Sequence, residues 1–315
     1  MKNKKMLGNG LLLLTALIWG TAFAFQRVGM ESIEPITFNA ARMALAAVVI
    51  GFVALLLWKK EKAKPSERTE EEQKDYNRDT IIGGICCGTV LSIASILQQM
   101  GLVYTTAGKA GFITAMYMLL VPIIGFLFLK KKNTLIVWVA VVLGVVGMYL
   151  LCITDKFSLS FGDALVMGCA LFFSFHILCC DHFAKRGNAI RISVIQFATA
   201  TVISSVVAAV VEEPTVAKLI SALVPIAYCG IVSGGIGYML QIVAQKFTDP
   251  TIASLLMSME SVFAVIAGVI ILHEQLSFRE MIGCIIMFAA IILVQLPSDK
   301  SPQECDKSSQ GETVT

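Results

Sequence analysis

Residues 36–58, ITFNAARMALAAVVIGFVALLLW, form an apolar run in which Arg42 is the only charged side chain. A helix of this length would be about 35 Å long, enough to cross the ~30 Å hydrocarbon core of a bilayer. The run ends at residues 59–79, which are densely charged. We therefore expect residues 36–58 to form a transmembrane helix that ends in water.

Nine further apolar runs of similar length occur in the 315-residue chain, which predicts an all-α integral membrane protein with ten transmembrane helices. Charged residues make up 15% of the chain, against about 25% in soluble domains, so a soluble enzyme is excluded. The net charge of +3 is too small to indicate a nucleic-acid partner. The predicted spans are 8–28, 36–58, 80–103, 106–130, 134–154, 161–183, 191–212, 218–246, 250–272 and 277–297.

The positive charges predict the orientation. Nineteen of the 25 Lys and Arg residues fall on the side of the amino terminus, and positive residues near helix ends stay in the cytoplasm. Both termini are therefore expected to be cytoplasmic, in a multi-pass protein of the plasma (inner) membrane. The segment 59–79 and the polar tail 298–315 lie on the same side, and the tail is predicted to be disordered.

An internal repeat divides the chain near residue 155. A shift of 143 residues places Gln98 on Gln241 and Met116 on Met259, and hydrophobicity stays in step through the fourth and fifth spans. Because each half holds an odd number of spans, the second half enters the membrane the other way up. Inverted repeats are typical of secondary transporters, whose substrate site lies at mid-membrane between the halves.

This division predicts two inverted five-helix repeats, 1–154 and 155–297, followed by the tail 298–315. The first repeat would carry the charged cytoplasmic loop 59–79.

Several short motifs carry a resemblance to a known family. They are Trp19-Gly20, Arg42, the Gly- and Ala-rich start of the fourth span with Pro122 beyond it, and the stretch 258–264, SMESVFA, which leads to His273-Glu274. Over about residues 11–296 the chain resembles the ten-helix, EamA-type members of the drug/metabolite transporter superfamily. The resemblance implies a secondary carrier for small metabolites, commonly an exporter of amino acids or related compounds.

Glu260 is the sharpest candidate for a functional residue. It lies near the centre of the ninth span, where an ionised carboxylate costs at least ~2.5 kcal/mol and should face protein or water. It is predicted to be a proton-coupling or substrate-contacting group, with a structural carboxyl bonded to a neighbouring helix as the alternative. Tyr117 is its counterpart under the 143-residue shift and either lines the same cavity or packs in the bundle.

Four other polar or aromatic residues are predicted to line a substrate cavity. Trp19 combines a flat ring with an N–H donor, and its alternative is packing beside Gly20. Gln98, Gln241 and Tyr238 offer hydrogen-bonding groups, although amides also join membrane helices to one another.

His176 is also a candidate for the cavity lining, with a packed neutral imidazole as the alternative. A metal site formed with Cys179 and Cys180 is discounted, because a dedicated site would need ligands from another span. Arg42 is interpreted as a structural anchor whose long stem reaches the interface, with binding of an anionic substrate as the alternative. No catalytic residue, metal site or cofactor is predicted.

These features predict a secondary active transporter, acting as an exporter by alternating access, with Glu260 as the proton carrier. The expected partners are a small-molecule substrate, the lipid bilayer and protons, with neither nucleic acid nor nucleotide, and the protein would be a monomer or a weak homodimer. A channel-like facilitator and a multidrug efflux carrier remain alternatives, with an intramembrane enzyme more distant.

Overall fold

The computed structural model describes residues 2–61, 69–105, 107–130, 133–152, 160–264, 266 and 277–295. Within these ranges the ordered elements are helices. The predictions for His273-Glu274, for residues 62–68 of the charged loop and for the tail 298–315 lie outside the described residues.

Helices occupy the described parts of all the predicted spans, but α1 begins six residues before its predicted span and α3 begins ten residues before, within the charged loop. They are α1 (Lys2–Gly29), α2 (Pro35–Glu61), α3 (Glu70–Tyr104), α4 (Ala107–Ala115), α5 (Tyr117–Leu129), α6 (Leu135–Cys152), α7 (Phe161–Ala184), α8 (Ala189–Val211), α9 (Val216–Ser221), α10 (Leu223–Ala227), a π-helical segment (Tyr228–Gly237), α11 (Tyr238–Ala244), α12 (Pro250–Met257) and α13 (Phe278–Gln295).

Seven helical stretches in the described part of the chain are long and apolar enough to cross a membrane, and Leu135–Leu150 and Pro250–Ala264 form shorter apolar helices. The predicted all-α membrane architecture is therefore confirmed. The count of ten spans stays a prediction.

Two of the predicted spans break near their centres. The fourth span breaks at Met116, between α4 and α5, where the Met116 N–H bonds to the Ile113 carbonyl three residues back at 3.2 Å. The ninth span breaks at residues 258–259, after α12, and helical structure resumes at 260–264. Both breaks lie at equivalent places in the two halves, because Met116 corresponds to Met259.

The eighth span contains a ten-residue π-helical segment, Tyr228–Gly237, which is rich in glycine. A methyl group at Gly230 would lie 2.8 Å from Leu45 Cβ, and one at Gly234 would lie 2.8 Å from Ala46 Cβ. The glycines thus allow α2 to approach the backbone of this segment. Because π-helical turns are rare and are frequently found at functional sites, this segment is a candidate for part of such a site.

The packing between helices is symmetric under exchange of the two halves. Helix α3 of the first half packs against α7 and α8 of the second half. In the same way, the π-helical segment of the second half packs against α1 and α2 of the first half. The pairs α2–α8, α5–α12 and α6–α13 map onto themselves. This pattern is that of a two-repeat fold, in which the equivalent elements of each repeat meet across a common axis.

Residues 30–34 connect α1 to α2, and we call the end of the bundle where they lie the 30–34 end. Two acidic side chains join the two halves of the chain at this end. Glu212 caps α2 by accepting hydrogen bonds from the backbone N–H groups of Ile36, at 2.9 Å, and Thr37, at 2.7 Å. Glu34 forms an ion pair with Lys218 at the start of the eighth span. The hydrogen bond and charge of the Lys218 ammonium lower the pKa of Glu34 below its ordinary value of 4.5.

The Glu34→Gln substitution should lower the melting temperature at pH 7 by no more than about 2 °C, because a partly exposed ion pair contributes at most about 1 kcal/mol. Since the folded-state pKa of Glu34 is lowered, the contribution is present above pH 4.5 and is lost as the pH falls through that folded-state pKa. Thermal unfolding of the detergent-solubilised protein between pH 3.5 and 7 measures this. Asp75→Asn, in the exposed Arg78–Asp75 pair, is the control, and a difference that persists unchanged at the lowest pH contradicts the assignment.

Candidate functional site

A cavity with about 380 Å³ of empty space lies between the two halves. Helices from both repeats contribute to its wall. The lining residues are Trp19, Ala22, Phe23, Gln26, Arg42, Gln98, Thr114, Tyr117, Phe173, Ser233, Tyr238 and Glu260.

The cavity extends from the middle of the bundle toward the 30–34 end. Trp19, Tyr117 and Glu260 each lie ten residues from an end of their spans, at Gly29, Ala107 and Pro250. At 1.5 Å per residue this is about 15 Å, half of the ~30 Å hydrocarbon thickness. Four polar lining residues lie nearer to the 30–34 end: Gln26, Arg42, Gln98 and Thr114.

The two broken spans meet at the floor of this cavity. Tyr117 Oη donates a hydrogen bond of 3.1 Å to Glu260 Oε1, and both side chains are buried, with exposed fractions of 3%. These residues follow directly on the two helix breaks and correspond to each other under the 143-residue shift. The structure thus brings the equivalent points of the two repeats into contact.

Gly20 lets α1 lie directly against the broken ninth span. A methyl group at this position would be 2.5 Å from the Glu260 carbonyl oxygen and 2.9 Å from the Ala264 nitrogen, closer than real contacts allow. Trp19, its neighbour, is held by the same approach and faces the cavity. The Trp19-Gly20 pair therefore positions both an aromatic wall and the backbone that carries Glu260.

Aromatic rings form one side of the cavity. The rings of Trp19 and Tyr238 lie 4.6 Å apart with an interplanar angle of 48°. Trp19 Nε1 donates to the Ser233 carbonyl in the π-helical segment at 3.3 Å. The indole N–H is thus used by the protein, and the ring surface is what Trp19 presents to the cavity.

Arg42 lies in the cavity wall with an exposed fraction of 7%, and this placement replaces its interpretation as an interfacial anchor. Its Nε and Nη2 donate to Asn39 Oδ1 at 3.0 and 2.8 Å. Asn39 in turn donates to Ser95 and Ser204, at 3.1 and 3.0 Å. Among the described residues no carboxylate lies within ion-pair distance of Arg42, so the guanidinium keeps N–H donors for a ligand.

The EamA-like transporter family matches residues 6–153 and 160–296. The chain belongs to the EamA-like transporter family. It is 29% identical over 289 residues to an uncharacterized transporter of Archaeoglobus fulgidus. This alignment covers 90% of this chain and 84% of that transporter. It is 21% identical over 295 residues to the uncharacterized transporter YoaV of Bacillus subtilis, covering 92% and 96%.

A solved crystal structure shares the fold of this EamA-like transporter. Its TM-score is 0.73, with 16% sequence identity, and the match covers 94% of this chain and 97% of the other. At this identity the likeness concerns the fold alone. Together the family and the apolar helices establish a multi-pass membrane protein of a transporter family.

Five of the seven residues predicted from the sequence lie together around the cavity of this EamA-like transporter: Trp19, Gln98, Tyr117, Tyr238 and Glu260. Gln98 Nε2 donates to Thr114 Oγ1 at 3.3 Å.

His176 and Gln241 do not line the cavity and lie buried in the bundle, each with an exposed fraction of 1%. The described residues hold no group of three or more His, Cys, Asp or Glu side chains suited to a metal ion.

Three polar lining residues were not predicted from the sequence: Gln26, Thr114 and Ser233. Gln26 follows Trp19 by seven residues and Thr114 precedes Tyr117 by three, so each shares a helix face with a predicted residue, and this spacing could have identified both. Ser233 precedes Tyr238 by five residues, a spacing that shares a face only in a π-helix.

The Gly20→Ala substitution should destabilise this EamA-like transporter by about 1–3 kcal/mol, because the added methyl group forces α1 away from the backbone of Glu260. Gly10→Ala, on the same helix, is the matched control, since nothing lies within 4 Å of a methyl group there. Thermal unfolding in detergent compares the two variants. Equal melting temperatures would show that α1 does not need this close approach.

Proposed function

We propose that this EamA-like transporter is a secondary active carrier for small zwitterionic metabolites of the amino-acid type, working by alternating access. Family membership supports transport by a carrier. The substrate class rests on one observation: Arg42 and Glu260 face the same cavity, beside aromatic rings.

These two side chains offer complementary charges to a zwitterion. A guanidinium binds a carboxylate through two parallel N–H donors, and Arg42 keeps free donors after its bonds to Asn39. Glu260 accepts a single hydrogen bond from Tyr117, which leaves acceptor capacity for an ammonium group. An amino acid would thus bridge a cation and an anion that the protein itself leaves apart.

The lining of the cavity suits a small ligand that carries an apolar side chain. The faces of Trp19, Tyr238 and Phe173 provide apolar contact for a substrate side chain. An apolar or aromatic amino acid fits this arrangement better than a large lipophilic drug.

Glu260 is also the proposed coupling residue. It is an intramembrane carboxyl at the junction of two broken helices, and such residues mark substrate and ion pathways in membrane carriers. A proton and the substrate ammonium would compete for the same oxygens, so that one is released when the other binds. The direction that the family resemblance implies is export.

A multidrug efflux carrier is the closest alternative function, because a carboxylate beside aromatic rings also suits a lipophilic cation. Arg42 argues against it, since a guanidinium in the same wall repels cations. The two substrate classes differ in whether a carboxylate is required.

Reconstituted protein should transport phenylalanine saturably and discriminate against phenethylamine, which lacks the carboxylate. Arg42→Gln should reduce kcat/KM for phenylalanine by about 30-fold or more, because a buried charged partner is removed, and should abolish the preference over phenethylamine. Arg279→Gln, which changes an arginine that packs on Tyr149 outside the cavity, is the control. Counterflow of labelled phenylalanine in inside-out and right-side-out vesicles measures rate and direction. Preference for phenethylamine in the wild-type protein would instead support the multidrug carrier.

Substrate flux through the wild-type protein should depend on pH, and Glu260→Gln should make the remaining flux independent of pH, because the amide cannot carry the exchanged proton. Glu280→Gln, which changes a half-buried carboxylate at the start of α13, outside the cavity, is the control. Flux measured between pH 5.5 and 8.5 in proteoliposomes separates the variants. If Glu260→Gln retained the wild-type pH profile, Glu260 could not be the coupling residue.

A further inference from the structure

A second group of buried polar side chains lies on the other side of Tyr238 from the cavity. It consists of His176 on α7, Gln196 on α8, Gln241 on α11 and Gln245 directly after α11, and we call it the inner amide cluster. All four have exposed fractions of 1% or less. Residues 245–249 connect α11 to α12 at the end of the bundle opposite to the 30–34 end, and we call it the 245–249 end. The cluster lies toward this end.

The hydrogen bonds within the cluster leave several groups without partners. His176 Nε2 bonds to Gln196 Oε1 at 3.2 Å, and Gln245 Nε2 donates to the Ile177 carbonyl at 3.0 Å. Within the described part of the chain, no hydrogen-bond partner is found for Gln196 Nε2, Gln241 Oε1 or Gln245 Oε1. A buried polar group without a partner is destabilising, so three of them on neighbouring helices require a physical reason.

The ring of Tyr238 separates the cluster from the cavity. It packs against Trp19, which lines the cavity, and its ring centroid lies 5.9 Å from that of His176 and 5.4 Å from that of Phe197, neither of which lines the cavity. Tyr238, Gln241 and Gln245 follow one another at i, i+3 and i+7, so they share a face of α11 and its continuation. A path along this face would lead from the cavity, past Tyr238, into the cluster.

The repeat relates the cluster to the cavity. Gln241 is the equivalent of Gln98, which lines the cavity in the other half and has a partner in Thr114. In a carrier built from inverted repeats, the two halves exchange conformations when the open side changes. A residue that is buried without a partner in one state can then be hydrated in the other.

We propose that the inner amide cluster is the second part of the substrate pathway, which binds water and the hydrogen-bonding groups of the substrate when the carrier opens toward the 245–249 end. This proposal rests on the proposed carrier function but not on the identity of the substrate. Tyr238 is the movable partition. It directly follows the π-helical segment 228–237, where a change in helical winding would rotate Tyr238, Gln241 and Gln245 together.

Side-specific labelling of an introduced cysteine tests this path. A membrane-impermeant methanethiosulfonate reagent is applied to either side of sealed vesicles that hold the full-length Gln241→Cys variant, and mass spectrometry locates the modified position among the native cysteines. We expect labelling from the 245–249 end at least about tenfold faster than for Ala140→Cys, because only the pathway position becomes hydrated during opening. Ala140 is fully buried in α6 near the same end of the bundle and so matches Gln241 in depth. Equal rates for the two variants, or labelling of Gln241→Cys only from the 30–34 end, would overturn the proposal.

Native cysteines provide a second measurement that does not depend on a variant folding. Cys180 Sγ lies 3.5 Å from His176 Nε2 and is fully buried, whereas Cys229 is buried near Ala22 toward the 30–34 end. In the wild-type protein, Cys180 should be modified from the 245–249 end and Cys229 should not. Protection of Cys180 equal to that of Cys229 contradicts the pathway.

The labelling and transport experiments fail independently of each other. If phenylalanine is not transported but Gln241→Cys and Cys180 are labelled as expected, the substrate class is wrong and the pathway stands. If phenylalanine is transported and neither site is labelled, the carrier function stands and the inner amide cluster is a static part of the bundle.

Discussion

The hydrogen bond from Tyr117 Oη to Glu260 Oε1 joins the two repeats at the depth where both of their spans break. In hydrocarbon, backbone groups freed by a helix break must find partners inside the protein, so breaks occur only where other helices enclose them. Here α1 provides the enclosure, because Gly20 brings its backbone against the Glu260 carbonyl. The cavity lies beside this junction, since Tyr117 and Glu260 both line it.

The same constraint explains how the protein keeps an arginine within the bundle. The guanidinium of Arg42 is bonded to Asn39, which is itself held by Ser95 and Ser204 on two further helices. This chain of neutral partners fixes the side chain without neutralising its charge. An ion pair with a neighbouring carboxylate would have satisfied Arg42 more fully, but it would also have removed the attraction for an anionic group in the cavity.

Hydropathy and charge placement were enough to predict the helices, and a sparse repeat was enough to relate Tyr117 to Glu260. These signals are strong because lipid imposes length and polarity on every span. The direction of Arg42 could not be predicted, since its long stem allows both an interfacial and an inward position. The π-helical segment was also missed, because Gly230, Gly234 and Gly237 stand at i, i+4 and i+7, the spacing of an ordinary α-helix. A π-helix has more residues per turn than an α-helix, which lets Ser233 and Tyr238, five residues apart, both face the cavity. Gln241, three residues further on, does not line the cavity.

The distribution of polar groups along the axis favours a carrier over a channel. A channel needs a polar path that is continuous across the membrane, whereas the polar wall of this cavity stops at the ring of Tyr238, packed between Trp19, His176 and Phe197. Hydrogen-bonding groups are found on both sides of this ring, and those on the far side are buried and partly unpaired. Because such groups are costly when dry, their presence is consistent with the proposed alternating access, in which the two sides are hydrated in turn.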